Sequence, residues 1–399
     1  MARTKKQSYT KSKEIVLSEP NICGNEWHYV KECLDSGWVS SAGKYVDLFE
    51  KKIEKYTGTK YAVACVNGTS ALQVSLFLAG VRKGDEVIVP TLTFIAPVNA
   101  IAYNGATPVF TDCDDFYNMD IEKTIDFIQK ETKFVSGTSQ HTINRKTGNR
   151  ISAIIPVHVW GNAAKLDDLI PICQERNITV VEDASESLGT YFSDGKFKGK
   201  HMGTIAKLGC LSFNGNKIIT TGGGGMILTN DKNLAEKARY LTTQAKDEPL
   251  RYVHNEIGYN FRLTNVQAAL GVAQFEQLPK FLKIKKNIYK KYIEALENIN
   301  GLEIAPVPEY AENNHWLNLL QVDHVLYGRK RDTIMNRMKD HRVQTRPIWK
   351  LNHLQKPYRN CQTDRIEKAF ELVKKSVCLP SSTNLRDDEM KKIIHILNE

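Results

Sequence analysis

From residue 60 onward, short apolar, β-branched runs alternate with longer stretches whose apolar residues recur at helical spacing. "YAVACV" (61–66), "DEVIVP" (85–90), "TPVFTD" (107–112), "AIIPVHV" (153–159), "ITVVED" (178–183), "LGCLSF" (208–213) and "GGMILT" (224–229) have the length and residue types of strands. Apolar runs of this kind separated by helices predict an α/β fold with a mostly parallel, doubly wound central sheet covered on both faces. No internal repeat is evident. Two polar stretches break the pattern. "SGTSQHTINRKTGNR" (136–150) lacks apolar periodicity and reads as a long surface loop, and "SDGKFKGKH" (193–201) as a turn-rich hairpin or loop. Beyond 265, "NVQAALGVAQFEQLPKFLKIKKNIYKKYIEALENI" predicts one long helix, or two broken near Pro279, leading into a smaller domain. The expected organisation is a basic tail at 1–15, a large domain at 16–280 and a small C-terminal domain at 281–399.

A chain of 399 residues with 41% hydrophobic content can bury a sizeable core. The net charge of +10 suits nucleic acid, an anionic membrane or a phosphorylated small molecule equally. The basic residues are nevertheless dispersed, and only "KFLKIKKNIYKK" (280–291) forms a dense run. Its apolar residues Phe281, Leu282, Ile284 and Ile288, with Tyr292 beyond, predict a helix with a solvated basic face rather than a nucleic-acid surface. No window approaches the roughly 20 apolar residues of a membrane span. The opening "MARTKKQSYTKSKE" has no apolar segment behind it, so a cytoplasmic protein without membrane or nucleic-acid partners is expected. Eight cysteines never approach metal-binding spacing and are expected to be free, mostly buried thiols, with no bound metal.

In doubly wound sheets ligands bind outside the carboxyl ends of strands, and four such ends are chemically suggestive. "VNGTSAL" (66–72) brings Gly68, Thr69 and Ser70 to a helix N-terminus, a ready anion site that is equally an ordinary cap. In "PTLTFIA" (90–96), Phe94 offers a ring face or a core residue. In "VEDASES" (181–187), Glu182, Asp183 and Glu186 cluster; they fit a metal, a helix cap, or a carboxylate for a protonated ring nitrogen. In "LSFNGNKIITTGGGGM" (211–226), Lys217 precedes four glycines. A P-loop needs its lysine after the glycines, and "MILT" continues as a strand rather than a helix, so neither phosphate-loop motif applies. A lone lysine is ordinarily solvated. Beside a phosphate cradle, an aromatic face and a strand-end carboxylate, Lys217 reads as a Schiff-base amine, and the set as a site for pyridoxal 5'-phosphate. The glycines let backbone approach closely or leave space for a ligand.

With "NGTSAL", "GDEVIVPTLTFIA", "GATPVFTD", "VVEDASESLG", "SFNGNKIITTGGGGM" and "GYNFRLTNVQAAL" in this order, the chain resembles the DegT/StrS family of pyridoxal-phosphate-dependent nucleotide-sugar aminotransferases over ~16–399. The resemblance implies the aspartate-aminotransferase-like fold (fold type I) with a small C-terminal α+β domain, and a homodimer with shared active sites. By position, it makes Lys217 the amine that bonds the cofactor and moves the proton, and Asp183 the partner of the ring nitrogen. Phe94 stacks on the ring, Thr69, Ser70 and Ser212 hold the phosphate, Asn260 reaches it from the neighbouring subunit, and Glu186 lies near the ring hydroxyl. Where many members read Gly-Glu-Gly-Gly, this chain has Gly222 to Gly225, which marks a subgroup. A dehydratase branch has histidine in place of the lysine, and Lys217 argues against it.

The resemblance implies transamination of a nucleotide-linked 4-keto-6-deoxy sugar with glutamate as donor. "SEPNICGNEW", "SGWVSSAGKYVDLFE" and "TRPIWKLNHLQKPY" look closest to members that aminate UDP-4-keto-6-deoxy-N-acetylhexosamines of the bacillosamine and legionaminic type. GDP-4-keto-6-deoxymannose, the perosamine route, is the runner-up. Arg346 suits the diphosphate, Trp38 or Trp349 a base or sugar face, and His158 a position near the reacting carbon; each also has a structural reading, as surface ion pair, core ring and satisfied strand-end histidine. A non-catalytic, cofactor-binding regulatory protein is the rival class.

Overall fold

The computed structural model describes residues 14–399 apart from Ser139 and Pro249. The basic tail expected at 1–15 therefore lies outside the described residues as far as 13. In chain order the strands of the first part are β1 (Tyr61–Cys65), β2 (Glu86–Pro90), β3 (Thr107–Thr111), β4 (Thr132–Val135), β5 (His141–Asn144), β6 (Arg150–Ile154), β7 (Thr179–Asp183), β8 (Tyr191–Phe192), β9 (Leu208–Ser212) and β10 (Gly225–Thr229). All but β8 form one sheet with the path β1-β10-β9-β7-β6-β2-β3. From β9 to β3 that path is parallel, whereas β10 runs antiparallel to both β1 and β9. All seven expected strands are present. The fourth of them is displaced toward the N-terminus: expected at 153–159, it is β6 at Arg150–Ile154, which stops there because Pro156 has no N–H to give the ladder, although its carbonyl still accepts from the Asp183 amide at 3.0 Å.

The expected loop at 136–150 instead contains a strand. Strand β5 pairs antiparallel with β4 and with the start of β6. Its buried positions are Thr142 and Asn144, and both are hydrogen-bonded: Thr142 Oγ1 to the Arg176 carbonyl at 2.5 Å, Asn144 Nδ2 to Glu86 Oε2 at 2.7 Å. An inward face made of polar residues leaves no hydrophobic alternation to read. At 193–201 the expected hairpin forms, with the Phe192 amide donating to Lys200 and the Gly199 amide to Phe192.

Helices α1 (Glu26–Ser36), α2 (Lys44–Thr57), α3 (Gly68–Leu78), α4 (Ile95–Tyr103), α5 (Ile121–Lys130), α6 (Leu169–Glu175) and α7 (Lys232–Thr242) precede α8 (Asn265–Leu296). A capping box between Thr264 and Gln267 starts α8, which then runs unbroken through Pro279. An interior proline costs a helix about 3 kcal/mol or more. Burial on both sides of it offsets that cost: Leu278 and Phe281 belong to the main core, and Ile288, Tyr292 and Leu296 to a second one. The boundary expected near 280 thus falls within a helix that joins the two cores. The second core lies under an antiparallel sheet of β11 (Leu302–Ile304), β13 (Asn318–Val322), β15 (Ser376–Leu379) and β14 (Arg346–Pro347), and it includes Ile15. The remaining short strand, β12 (Ala311–Glu312), pairs with β8. The cysteines are free thiols, most of them buried.

The basic run at 280–291 departs from its expected solvated face at one position. Lys285 is buried with 3% of its surface exposed, between Ile284 and Ile288.

Candidate active site

Strand register gathers the site at one sheet edge. Because β10 is antiparallel to its two neighbours, β1 and β9 run the same way, and Cys65, Gly225 and Ser212 stand side by side where β1 and β9 end. Asp183, at the end of β7, pairs with Cys210 of β9. Helix α3 begins just after β1, so its N-terminus faces the ends of β7 and β9.

Packing there is tight. A Cβ on Gly225 would sit 2.5 Å from the Asn67 carbonyl carbon, and a Cβ on Gly68 2.9 Å from Ser212 Cβ and 3.3 Å from Ser185 Oγ. Gly225 accordingly serves a close backbone approach of β10 to α3, whereas a Cβ on Gly222 would meet nothing within 4 Å. The cap of α3 is Asn67, whose side chain accepts from the Ser70 amide at 2.7 Å. That bond uses the Ser70 amide within the helix and leaves half-buried Thr69, Ser185 and Ser212 around the Gly68 cradle. Small hydroxyl side chains at a helix N-terminus fit a phosphate.

The three acidic residues of 181–187 have separate fates. Glu182 is fully buried and accepts from His158 Nε2 at 3.0 Å and from the amides of Gly203, Ile205 and Ala206 at 2.9, 2.8 and 2.6 Å. It is a structural carboxylate with no capacity for a metal. Asp183 accepts from the Ser185 amide at 3.0 Å. Burial pushes its carboxyl above the usual range, against the opposing pull of Ser185, Lys217 and His158. Glu186 is also raised by burial, opposed by Lys217 and the Trp160 amide. Glu186 Oε1 lies 3.3 Å from Lys217 Nζ, and Oε2 accepts from the Trp160 amide at 2.7 Å. One buried carboxylate thus contacts the amine and a second, Asp183, feels its charge and is poised to gain from a further cation. This donor set fits a protonated pyridine ring, and the Gly68 cradle fits its phosphate.

The opposite wall was not legible in the sequence. Trp316 covers Lys217, with Nζ 4.0 Å from the ring centroid, and its Nε1 donates to the Asn216 carbonyl at 2.6 Å. Asn314 binds the carbonyls of Glu186 and Leu188 through Nδ2 and accepts from the Trp316 amide through Oδ1. These residues arrive from the C-terminal part of the chain, so no local motif could announce them; Ser185, by contrast, lay within a quoted motif. Trp160 adopts φ +53°, an unusual backbone for a bulky residue, and this kink aims its amide at Glu186. Its ring stacks on Trp349 at 4.8 Å and 19°, and Trp349 in turn lies 6.1 Å from Phe94. Phe94 is 52% exposed and presents a free ring face.

His158 is not where a reacting carbon could meet it. It is fully buried; Nδ1 accepts from the Ala164 amide at 3.1 Å, which leaves Nε2–H for Glu182. Both nitrogens are committed, and the histidine anchors the end of β7. Arg346 is exposed on β14, with Nη1 donating to the Thr345 carbonyl. Trp38, 61% exposed, lines a separate cleft with Cys33, Lys44, Tyr45 and Asn265. Asn260 is exposed on the segment whose next residue, Phe261, accepts from the Val66 amide at 2.7 Å. Among the described residues no helix is long and apolar enough to cross a membrane.

Comparison with known proteins agrees with this geometry. Residues 20–398 match the DegT/DnrJ/EryC1/StrS aminotransferase family. EpsN of Bacillus subtilis (strain 168), named as a pyridoxal phosphate-dependent aminotransferase, is 36% identical over 392 residues, covering 96% of this chain and 95% of its own. The GDP-perosamine synthase of Escherichia coli O157:H7 is 36% identical over 394 residues, covering 97% and 98%. The crystal structure of a DegT DnrJ EryC1 StrS aminotransferase from Brucella abortus is 26% identical and matches with a TM-score of 0.83 over 94% of each chain.

Proposed function

The chain belongs to the DegT/DnrJ/EryC1/StrS aminotransferase family, and from that premise we propose that it transfers the amino group of glutamate to C4 of a GDP-linked 4-keto-6-deoxyhexose. It is a pyridoxal-phosphate-dependent aminotransferase acting on nucleotide sugars. The observation that carries the finer reading is the GDP-perosamine synthase, 36% identical along nearly the whole chain. It favours the GDP-linked acceptor over the UDP-linked N-acetylhexosamine that the sequence motifs put first.

The cofactor, when bound, supplies an electron sink for the carbanion left on losing a proton. The chain supplies the rest. Thr69, Ser185 and Ser212 with the start of α3 bind its phosphate, Asp183 holds its ring cation, and Phe94 covers its face. Lys217 Nζ takes and returns the proton. Glu186, 3.3 Å away, holds that amine in place. Trp316 and the stacked Trp160 and Trp349 wall the site and limit water.

The acceptor is tested by supplying GDP-, UDP- and dTDP-linked 4-keto-6-deoxy sugars with glutamate and following product mass and kcat/KM. We expect the GDP-sugar to be preferred by at least about tenfold, the scale that one or two nucleobase hydrogen bonds supply. A preference for the UDP-sugar overturns the acceptor and leaves the aminotransferase standing.

The working unit in this reading is a homodimer in which Asn260 reaches the partner's phosphate cradle. Co-expression of Lys217→Ala chains with Asn260→Ala chains, each inactive or severely impaired alone, is expected to restore activity, because each mixed dimer keeps one intact site. No recovery in verified mixed dimers rules out sharing.

A further inference from the structure

Within the most basic stretch of the chain, Lys285 is turned inward. Its Nζ donates to the Trp316 carbonyl at 2.8 Å and to the Ser381 carbonyl. Among the described residues no carboxylate pairs with it, and burial alone pulls the amine down to about 7. A buried lysine without an acid partner is an expensive way to fill a core position. What it provides that a methionine does not is a multiple N–H donor, charged or neutral, able to tie two backbone carbonyls from separate segments.

Those carbonyls belong to the segments that hold the indole over the reacting amine. Trp316 is fixed at three points: its amide by Asn314 at 3.0 Å, its carbonyl by Lys285, and its Nε1 by the Asn216 carbonyl at 2.6 Å. Asn216 directly precedes Lys217, and its carbonyl also accepts from Ser18 Oγ at 3.2 Å. Ser381 in turn binds the amide and the side chain of Asn318 through Oγ. The groups in contact with the Lys217 amine are the Trp316 ring and the Glu186 carboxylate, with the charge of Asp183 also felt there.

We propose that Lys285 is a positioning residue for the transamination, fastening the Trp316 and Ser381 carbonyls so that the indole face stays over the Lys217 amine. This rests on Lys217 being the reacting amine, so the first readout is taken on the apoprotein, where it does not depend on turnover. Methionine at 285 keeps the stem and removes the donors. The two carbonyls then lose their partner, the Trp316 segment shifts, and the indole face no longer covers the Lys217 amine.

The experiment is the rate at which trinitrobenzenesulfonate modifies Lys217 in the apoprotein, read by peptide mass. In Lys285→Met, modification is expected to quicken about two- to fivefold, because the indole that covers the largely buried Lys217 amine is no longer held in place. Trp316→Leu should give the same increase, and the double variant no more than either single one. In the holoenzyme, Lys285→Met should lower kcat with little change in KM for the nucleotide sugar. If Lys285→Met does not fold, Lys285→Gln, which keeps one amide donor group, should give a smaller change of the same sign. An unchanged modification rate in a folded 285 variant, or rates that multiply in the double variant, overturns the positioning role. Normal turnover of Lys217→Ala would sink the reading beneath it, and the apoprotein measurement separates these two failures.

Discussion

Under the proposed function, Lys217→Ala is expected to lower turnover by at least about a thousandfold, since a positioned general acid–base alone contributes about 10²–10⁴ and this amine would also bond the cofactor. The loss should fall on kcat. The proposed phosphate cradle of Thr69, Ser185 and Ser212 and the buried Asp183 carboxylate remain in the variant, so cofactor retention should survive while the change in its absorption on adding glutamate becomes very slow. Truncation also leaves a space between Glu186 and the Trp316 ring, which stood 3.3 Å and 4.0 Å from the missing nitrogen. A small primary amine such as methylamine fits that space, and the same two groups would hold it as a cation. Added methylamine should therefore restore part of the glutamate half-reaction, in proportion to its concentration. Undiminished turnover in Lys217→Ala refutes the assignment of the reacting amine.

Much of the candidate site could be read locally because the parts proposed to face the cofactor sit at strand ends. Lys217, Asp183, Ser212 and Gly68 each follow or close an apolar run, and a parallel sheet brings such ends to one edge. What joins them from elsewhere left no local trace. Trp316, Asn314 and Lys285 are distant in sequence, and each has an ordinary core or surface reading until the C-terminal part packs against the sheet. Lys285 shows the limit of periodicity most plainly. In "FLKIKKNIYKK" the apolar spacing places the helix face correctly, yet one lysine shares that face because it meets two carbonyls instead of water. Strand β5 failed for a related reason: its inward residues are Thr142 and Asn144, satisfied by hydrogen bonds rather than by apolar contacts. His158 was misplaced because a strand-end histidine looks the same whether its nitrogens face a ligand or, as here, Ala164 and Glu182.

Asp183→Asn should separate catalysis from stability. In the wild-type apoprotein the Asp183 carboxyl is raised by burial, so the folded chain binds its proton more tightly than the unfolded chain does. Between the ordinary aspartate range and that raised value the folded state holds more protons. Folding stability contributed by this group therefore falls as pH rises through that window, and Glu186, raised in the same direction, adds to the fall. Asparagine cannot ionise, and its side-chain oxygen still accepts from the Ser185 amide that Asp183 binds at 3.0 Å. Apoprotein carrying Asp183→Asn is thus expected to unfold at a higher temperature than wild type near neutral pH, with the gain shrinking as pH is lowered through the carboxylate range. Catalysis should move the opposite way. Removing the charged partner of a buried ring cation costs about 3–5 kcal/mol, so kcat should drop by at least about a hundredfold. Glu182→Gln, one residue away, is the contrasting variant: its carboxylate serves His158 and three backbone amides, so its replacement should destabilise the apoprotein. Thermal unfolding across pH, alongside kcat for both variants, checks the assignment. An Asp183→Asn apoprotein no more stable than wild type at neutral pH, or one that retains full kcat, removes Asp183 from the role of cation holder.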